Sequence, residues 1–294
     1  MAQFMTALLG GLGIGAVFAL VALGFAFILR TTDSFNFAQG QLVPIGSLLA
    51  YTFYTALGWP AALAIVILVV ITGLVGGLTE RVAVFPLARR GDNDILLWVM
   101  STLGVTAILT GIALRLWGSE PLGVSNYVGP RVTHFGQSYV ATPYILAFVF
   151  AILVAIGIDV FQRHTRWGKL MRAIADNRNA VQLAGVNTLT FGLVAYVIGA
   201  ALAGIAGFAI APITYASATG GFTFTILGFA ALAMGGFGSH WGALLGGLMV
   251  GVIQSLSATY FGLVYQDFAV FGTLILVLMI RPDGIFGFAQ TRKV

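Results

Sequence analysis

The feature that most constrains this chain is a succession of long apolar runs separated by short charged or turn-forming segments. Of its 294 residues, 59% are hydrophobic and only 8% are charged, and the mean hydropathy is +1.01. A soluble core could not bury that much apolar surface, whereas roughly 20 apolar residues in a helix span the hydrocarbon layer of a bilayer. The sequence therefore predicts an all-α, polytopic transmembrane bundle of about 8–10 spans, with residues 1–294 as one domain.

The apolar runs predict nine helices. The least regular stretch is the junction of the seventh and eighth runs, where Gly235 and Gly236 are followed by further glycines and by Ser239 and His240. A broken or re-entrant helix is an alternative there. We place the spans at about 4–29, 37–57, 60–79, 94–117, 141–161, 188–211, 222–239, 241–261 and 266–281.

The basic residues fall on one side of this topology. If the first span runs from outside to inside, only Arg115 and Arg131 of the 14 Lys and Arg residues lie outside. The positive-inside rule then puts the N-terminus outside and the C-terminus in the cytoplasm. Because the arginines lie between apolar spans, the net charge of +5 indicates membrane topology, not nucleic-acid binding. The first five residues carry no basic side chain, which argues against a cleaved signal peptide.

Two long loops differ in kind. The outside loop, about 118–140, is rich in Gly and Pro with little net charge, so it predicts an ordered, turn-rich segment that caps an entrance. The inside loop, about 162–187, is basic at its start and then predicts a short helix at about 176–185.

Both ends of that short helix are marked in the sequence. Asp176 or Asn177 can cap its N-terminus, and Gly185 supplies the left-handed residue that ends it. Val181 and either Leu183 or Ala184 would provide apolar contacts. A helix of two turns is unstable alone in water, so it must lie against the membrane domain or a partner protein. A solvated loop is the alternative.

Several kinds of chemistry have no support in the sequence. There is no cysteine, and Gly168-Lys169-Leu170 lacks the pattern of a phosphate-binding loop, so nucleotide chemistry must reside on another chain. The three histidines share no metal-ligand spacing. The acidic residues lie near predicted span ends, which argues against an ion-coupled carrier, although backbone carbonyls could bind sodium. We predict no enzyme activity, no metal and no cofactor in this chain.

Polar and small residues inside the spans are candidates for a translocation path. Thr102, Thr106 and Thr110 lie on one helix face, where they line a substrate path or bond back to their own helix. Asn36 and Gln39 serve equally well as a gate or as helix caps. Helix ends near Gly235 could meet the charges of a zwitterion. The candidates are Asn36, Gln39, Gln41, Thr102, Thr106, Gly235 and Gly236.

Glycines four residues apart predict close helix packing, because helices in lipid associate by backbone approach. Helices that slide during transport are the alternative reading. The pairs are Gly11 and Gly15, Gly73 and Gly77, Gly238 and Gly242, Gly242 and Gly246, and Gly247 and Gly251.

Five segments in order resemble one family, the permease subunits of ATP-binding-cassette importers for branched-chain amino acids. The segments are Phe35–Gly40 (FNFAQG), Gly168–Asn177 (GKLMRAIADN), Leu183–Asn187 (LAGVN), Leu232–Ser239 (LAMGGFGS) and Arg281–Gly287 (RPDGIFG). The resemblance covers nearly the whole chain, whose length is similar to that of the smaller of the two permeases.

The resemblance implies a bacterial inner-membrane importer with several partners. These are a second homologous permease, two cytoplasmic ATPase subunits that bind ATP and Mg, an external substrate-binding protein and the membrane lipid. It also implies that the inside loop holds a coupling helix that inserts into the ATPase. The coupling residues would be Arg172, Ala173, Asp176, Asn177, Val181, Leu183 and Gly185.

The cargo and two rival functions stay open at this stage. Gln39 stands where the family has His, and relatives serve urea, short amides and aromatic acids, so a permease for one of those is an alternative. A stand-alone channel or an ion-coupled carrier is a second alternative, because the chain has no ATP site.

Overall fold

The computed structural model describes residues 2–89, 95–127, 129, 132–135 and 138–287. The fold is helical, as the sequence predicts. Its α-helices are α1 (Ala2–Thr32), α2 (Leu42–Ala50), α3 (Ala61–Thr79), α4 (Phe85–Arg89), α5 (Ile95–Trp117), α6 (Thr142–His164), α7 (Arg166–Asp176), α8 (Arg178–Leu183), α9 (Thr188–Thr214), α10 (Gly221–Gly235), α11 (His240–Tyr260) and α12 (Gln266–Ile280).

Within the described residues, seven helical segments are long and apolar enough to cross a membrane. The protein is therefore a multi-pass membrane protein, as its composition predicts. The segments are Ala2–Thr32, Ala61–Ala88, Leu96–Trp117, Thr142–His164, Thr188–Thr214, His240–Tyr260 and Leu263–Ile280.

Two of the nine predicted spans are shorter or less regular than the sequence suggests. The predicted span 37–57 is composite: a 3-10 turn (Gln39–Gln41), then α2, then a π-helical turn (Tyr51–Ala56). The predicted span 222–239 ends early, because α10 stops at Gly235 and residues 236–239 are non-helical before α11 begins. The alternative of a broken helix at this junction is therefore the correct one. With 15 residues, α10 is about 22 Å long, less than the hydrocarbon thickness.

The first helix is the centre of the bundle. Helix α1 is apolar on all sides and packs against α11, α9, α6 and α10, which explains why most of it is buried. Its Gly11 and Gly15 face Gly247 and Gly251 of α11 so closely that a β-carbon at any of the four would meet backbone atoms of the other helix. These four glycines thus act in packing, as predicted, whereas a β-carbon at Gly238 would have no atom within 4 Å, so the prediction is wrong for that residue.

The predicted outside loop contains a small β-hairpin, so the all-α prediction needs one addition. Strands β1 (Val132–Phe135) and β2 (Ser138–Ala141) pair antiparallel, with Val132 opposite Ala141. Earlier in the loop, Leu122 forms a backbone bridge with Ala216, which follows α9. The described part of this loop is ordered by pairing, in agreement with the turn-rich prediction.

Candidate functional site

The chain makes a deep non-helical break between α1 and α2. After α1 ends, Asp33 takes a left-handed conformation (φ 56°), which Asp tolerates better than most residues. The chain then runs back along α1, so that Gln39 lies beside Gly24 and donates from Nε2 to the carbonyl oxygen of Gly199, 2.6 Å away. Gly24 precedes the end of α1 by eight residues, or about 12 Å. We call residues 33–41 the central break.

Three threonine hydroxyls hold the backbone of the central break. The Phe37 N–H donates to Thr102 Oγ1 of α5 at 3.1 Å. The Phe37 carbonyl oxygen lies 3.3 Å from Thr106 Oγ1 and 3.1 Å from Thr225 Oγ1 of α10, hydroxyls that are also within reach of their own helices. Non-helical backbone at membrane depth needs such partners, because lipid offers none. Thr102 and Thr106 therefore contact backbone outside their own helix, whereas the Thr110 hydroxyl donates to the Thr106 carbonyl at 2.8 Å, which is the back-bonding alternative.

Two buried side chains of the central break have free polar atoms. Asn36 and Gln39 are fully buried. Asn36 Oδ1 accepts from the Ala38 N–H at 3.1 Å, as in a local turn, but its Nδ2 has no partner, and neither does Gln39 Oε1. A buried polar atom without a partner is costly and uncommon. Asn36 Nδ2 and Gln39 Oε1 are therefore unsatisfied polar atoms that the fold encloses in the central break.

An aromatic cluster lies next to the central break. Phe35 and Phe37 pack against Phe229 of α10, with ring centroids 5.6 and 6.2 Å apart, and Phe237 joins them at 5.9 Å from Phe229. All four rings are partly exposed. The sequence shows these four phenylalanines in two distant segments but gives no sign that they meet.

The other predicted path residues have their polar groups paired or pack against backbone. Gln41, two residues after Gln39, is buried and donates from Nε2 to the Ala218 carbonyl at 3.0 Å. Gly235 packs against the backbone of Gly242, and Gly236, with φ 104°, packs against Gly287. The two glycines therefore form the junction of α10, α11 and the segment after α12, and their closest contacts are with Gly242 and Gly287.

The predicted inside loop contains two helices instead of one. Helix α7 begins at a cap, where Thr165 Oγ1 accepts from the Gly168 N–H at 3.0 Å, and buries Met171 and Ile174 on one face. Arg172 and Ala173 lie on α7, and so does Asp176, which is its last residue. Asp176 does not cap the short helix, which corrects one of the two predicted caps.

The short helix α8 begins and ends much as its sequence predicts. Asn177 Oδ1 caps it by accepting from the Ala180 N–H at 3.0 Å, and Gly185 ends it with φ 85°. Val181 packs on the core, but Leu183 is 90% exposed and Ala184 is also exposed, so their predicted contacts are absent within the described part of the chain. Helix α8 thus presents an exposed leucine away from the membrane domain. We call the side that carries α7 and α8 the basic side.

Hydrogen bonds join α8 to the central break. Arg178 Nη1 donates to the Thr32 carbonyl at 3.1 Å. The Thr32 hydroxyl lies 2.7 Å from Ser34 Oγ, which is 3.0 Å from the hydroxyl of Tyr196, a fully buried residue of α9. Ser34 is part of the central break. This Arg178–Thr32–Ser34–Tyr196 network is a continuous polar connection from an exposed helix to the buried segment.

Two charged side chains on the basic side, Asp33 and Arg30, interact with other polar groups. Desolvation raises the pKa of the Asp33 carboxyl, and the nearby Arg178 guanidinium opposes that shift. Arg30 Nη1 lies 3.2 Å from His240 Nε2, which ties the end of α1 to the start of α11. Because arginine only donates, Nε2 must accept. His240 is thus a structural residue, and among described residues no cluster of three metal-ligating side chains occurs.

Comparison with known proteins assigns the family. Residues 7–280 match the family described as the permease component of the branched-chain amino acid transport system. The chain belongs to this family. The permease is 32% identical to the high-affinity branched-chain amino acid transport system permease protein BraD of Pseudomonas aeruginosa, over 99% of this chain and 98% of that protein.

Two further relatives support the same family assignment. The permease is 29% identical to the permease protein LivH of Escherichia coli K12, over 99% of this chain and 98% of that protein. It is also 29% identical to the probable branched-chain amino acid transport permease protein LivH of Methanocaldococcus jannaschii, over 91% and 88%. No solved structure matches the permease closely. The family resemblance inferred from five motifs is confirmed.

Sequence reasoning missed three residues of the permease that the fold brings to the site. Ser34 and Tyr196 complete the connection to α8, and Thr225 holds Phe37. Tyr196 and Thr225 stand within long apolar runs, where a lone hydroxyl has no local pattern. The available signal was their polarity itself, since hydroxyls inside membrane helices usually face protein.

Proposed function

We propose that this chain is the permease subunit of an ATP-driven, binding-protein-dependent importer for branched-chain amino acids. It would form half of the translocation path, beside a second homologous permease. Two ATPase subunits, which bind ATP and Mg, would dock on the basic side, and an external binding protein would deliver the substrate. The N-terminus would be outside and the C-terminus in the cytoplasm, as the basic residues favour. The names and full-length similarity of BraD and LivH support this cargo.

The observation that carries the proposal is the hydrogen-bonded connection between α8 and the central break. Helix α8 is exposed, capped at both ends and held to the membrane domain through Arg178 and Val181. A partner that moves α8 would pull on the Thr32 carbonyl and, through Ser34, on the segment that carries Asn36 and Gln39. Movement on the basic side would thereby change the buried polar segment, which is what coupling by alternating access requires.

In a state of the transporter that opens the central break, the side chains buried there would suit the passage of a small amino acid. Asn36 Nδ2 can donate to a carboxylate and Gln39 Oε1 can accept from an ammonium group, so the two free atoms have opposite roles. The aromatic cluster beside them offers apolar surface to a branched side chain. The amide dipoles would then meet both charges of the substrate without a midplane salt bridge.

Arg178→Ala tests the coupling. We expect the assembled transporter to keep its ATPase subunits and to hydrolyse ATP, while leucine uptake per ATP falls about tenfold, because the contact with Thr32 is lost. Uptake and hydrolysis are measured together in proteoliposomes with the binding protein present. Arg166→Ala is the matched control, since Arg166 is an exposed arginine of the same loop. Equal loss of coupling in both variants would contradict the role of Arg178.

The rival function is a stand-alone channel or carrier, and the same preparation separates the two. Leucine uptake into liposomes that contain this chain alone, without ATP or partners, would overturn the proposed function. Uptake of urea or an aromatic acid in place of leucine by the complete transporter would retain the mechanism and replace the cargo.

A further inference from the structure

A second non-helical segment enters the membrane domain from the end of α9 that is remote from the basic side. Residues 215–220 join α9 to α10, and we call them the second break. Tyr215 turns the chain out of α9 with φ 61° and ψ 156°. Three residues later, the Ala218 carbonyl accepts from Gln41 Nε2 at 3.0 Å. The second break therefore runs from the end of α9 to the central break.

The second break ends at membrane depth, as two helices show. Helix α10 has 15 residues, from Gly221 to Gly235, which lies at the junction with the start of α11 on the basic side. At 1.5 Å per residue, Gly221 is about 21 Å from that junction. The Gly199 carbonyl, which binds Gln39, follows the start of α9 by 11 residues, or about 16 Å, and Gln41 lies about 4 Å further on. The hydrocarbon layer is about 30 Å thick, so the second break extends well inside it.

The second break exposes polar groups at this depth. Thr219 and Gly220 are exposed, and Ser217 is partly exposed. Ser217 Oγ accepts from the Thr219 N–H at 3.2 Å and lies 3.1 Å from the Thr219 hydroxyl, as in a local turn. A β-carbon at Gly220 would have no atom within 4 Å, so open space adjoins the backbone there. Lipid cannot satisfy exposed non-helical backbone, so this surface faces protein or water.

Two further features favour water over a dry protein contact. Gly220, the N-cap residue of α10, has no side chain to accept from the first N–H groups of that helix, which therefore need another polar partner. In addition, the second break, α2 and α9 line a cavity of about 130 Å³, which is large enough for several water molecules. Ser217 and Thr219 line this cavity together with Pro44 and Ser47 of α2, the helix that follows the central break.

We propose that the second break lines a water-filled part of the translocation path, and that Ser217 and Thr219 face the passing substrate. This assignment rests on the proposed function, in which the path lies between this chain and a second permease. Gln41 joins the second break to the central break, which carries Asn36 and Gln39. The polar surface of the path thereby continues from Gln39 toward the end of α9 that is remote from α8.

Thr219→Cys tests the proposal, because the chain has no cysteine of its own. The assembled transporter is placed in proteoliposomes, with the cationic thiol reagent MTSET on both sides of the membrane. The reagent attacks a thiolate, which forms in water and not in lipid, so Thr219→Cys should react at least about tenfold faster than a lipid-facing cysteine. The mass of the intact permease measures the labelling rate. Leucine uptake should then fall as labelling proceeds, because the attached cation obstructs the path.

Leu153→Cys is the matched control. Leu153 is 59% exposed in the middle of α6, an apolar span, so a cysteine there should face lipid and react slowly. Equally slow labelling of Thr219→Cys and Leu153→Cys would overturn the water-filled surface and indicate a dry contact with the second permease. Rapid labelling of Thr219→Cys that leaves leucine uptake equal to that of the treated wild type would overturn its place in the path.

Ser217→Cys, a nearly isosteric change, provides the same test if Thr219→Cys does not assemble. The labelling rate is measured without transport. Absence of leucine uptake by the untreated wild-type transporter would therefore count against the proposed function, whereas slow labelling at both positions would count against the second break.

Discussion

Gly251→Leu should abolish the folded membrane domain. A β-carbon at Gly251 would overlap the backbone of Gly15 and Gly11, at the contact between α11 and the central helix α1. Neither backbone can move without separating α1 from its other neighbours, α9, α6 and α10. Overpacking of this kind should cost about 3 kcal/mol of unfolding free energy or more. We expect loss of the monodisperse peak in size exclusion and a large drop in thermal stability in detergent.

Gly272→Leu is the control for that result. Gly272 lies in α12, a largely exposed helix, and a β-carbon there would have no atom within 4 Å. Added volume at this glycine should face lipid or detergent and leave both measurements near wild type. Comparable damage from the two substitutions would show that leucine is harmful in any span, and that the α1–α11 contact is not special.

Leu183→Asp should remove the ATPase subunits from the transporter while leaving the permease folded. Leu183 is 90% exposed, so nothing in the described fold depends on it. Under the proposed function it is the apolar residue that α8 presents to the ATPase. Burying a charge there should weaken the association by at least about 30-fold, the effect of losing one interface hot spot. Co-purification of the ATPase subunits with the tagged permease measures this.

Leu263→Asp is the matched control. Leu263 is also a well-exposed leucine, at 74%, but it lies in the turn between α11 and α12, at the end of α11 remote from His240 and Arg30. The ATPase subunits should remain bound to this variant. Full retention of the subunits by Leu183→Asp would contradict docking through α8.

The two ends of α8 follow from the sequence because they depend on near neighbours. Asn177 and Ala180 are three residues apart, so the hydrogen bond between them needs no distant partner once α8 begins at Arg178. Gly185 ends α8 for a reason equally local, its positive φ. The choice between Asp176 and Asn177 was not local, since it depends on where α7 ends, and α7 is positioned by Met171 and Ile174 packing on the core.

The long apolar runs, interrupted by charge, determined by themselves that this is a helical membrane protein, since a single long apolar segment satisfies its own backbone across lipid only as a helix. The spaced glycines also indicated close packing, but not that Gly251 meets Gly15. Tertiary structure alone decided the central break, because the sequence of this segment resembles the beginning of an ordinary span. Its non-helical backbone is stabilised at that depth by Thr102, Thr106 and Thr225, which come from distant helices. Such partners depend on the three-dimensional arrangement of the helices, so the apolar periodicity of one helix does not predict them.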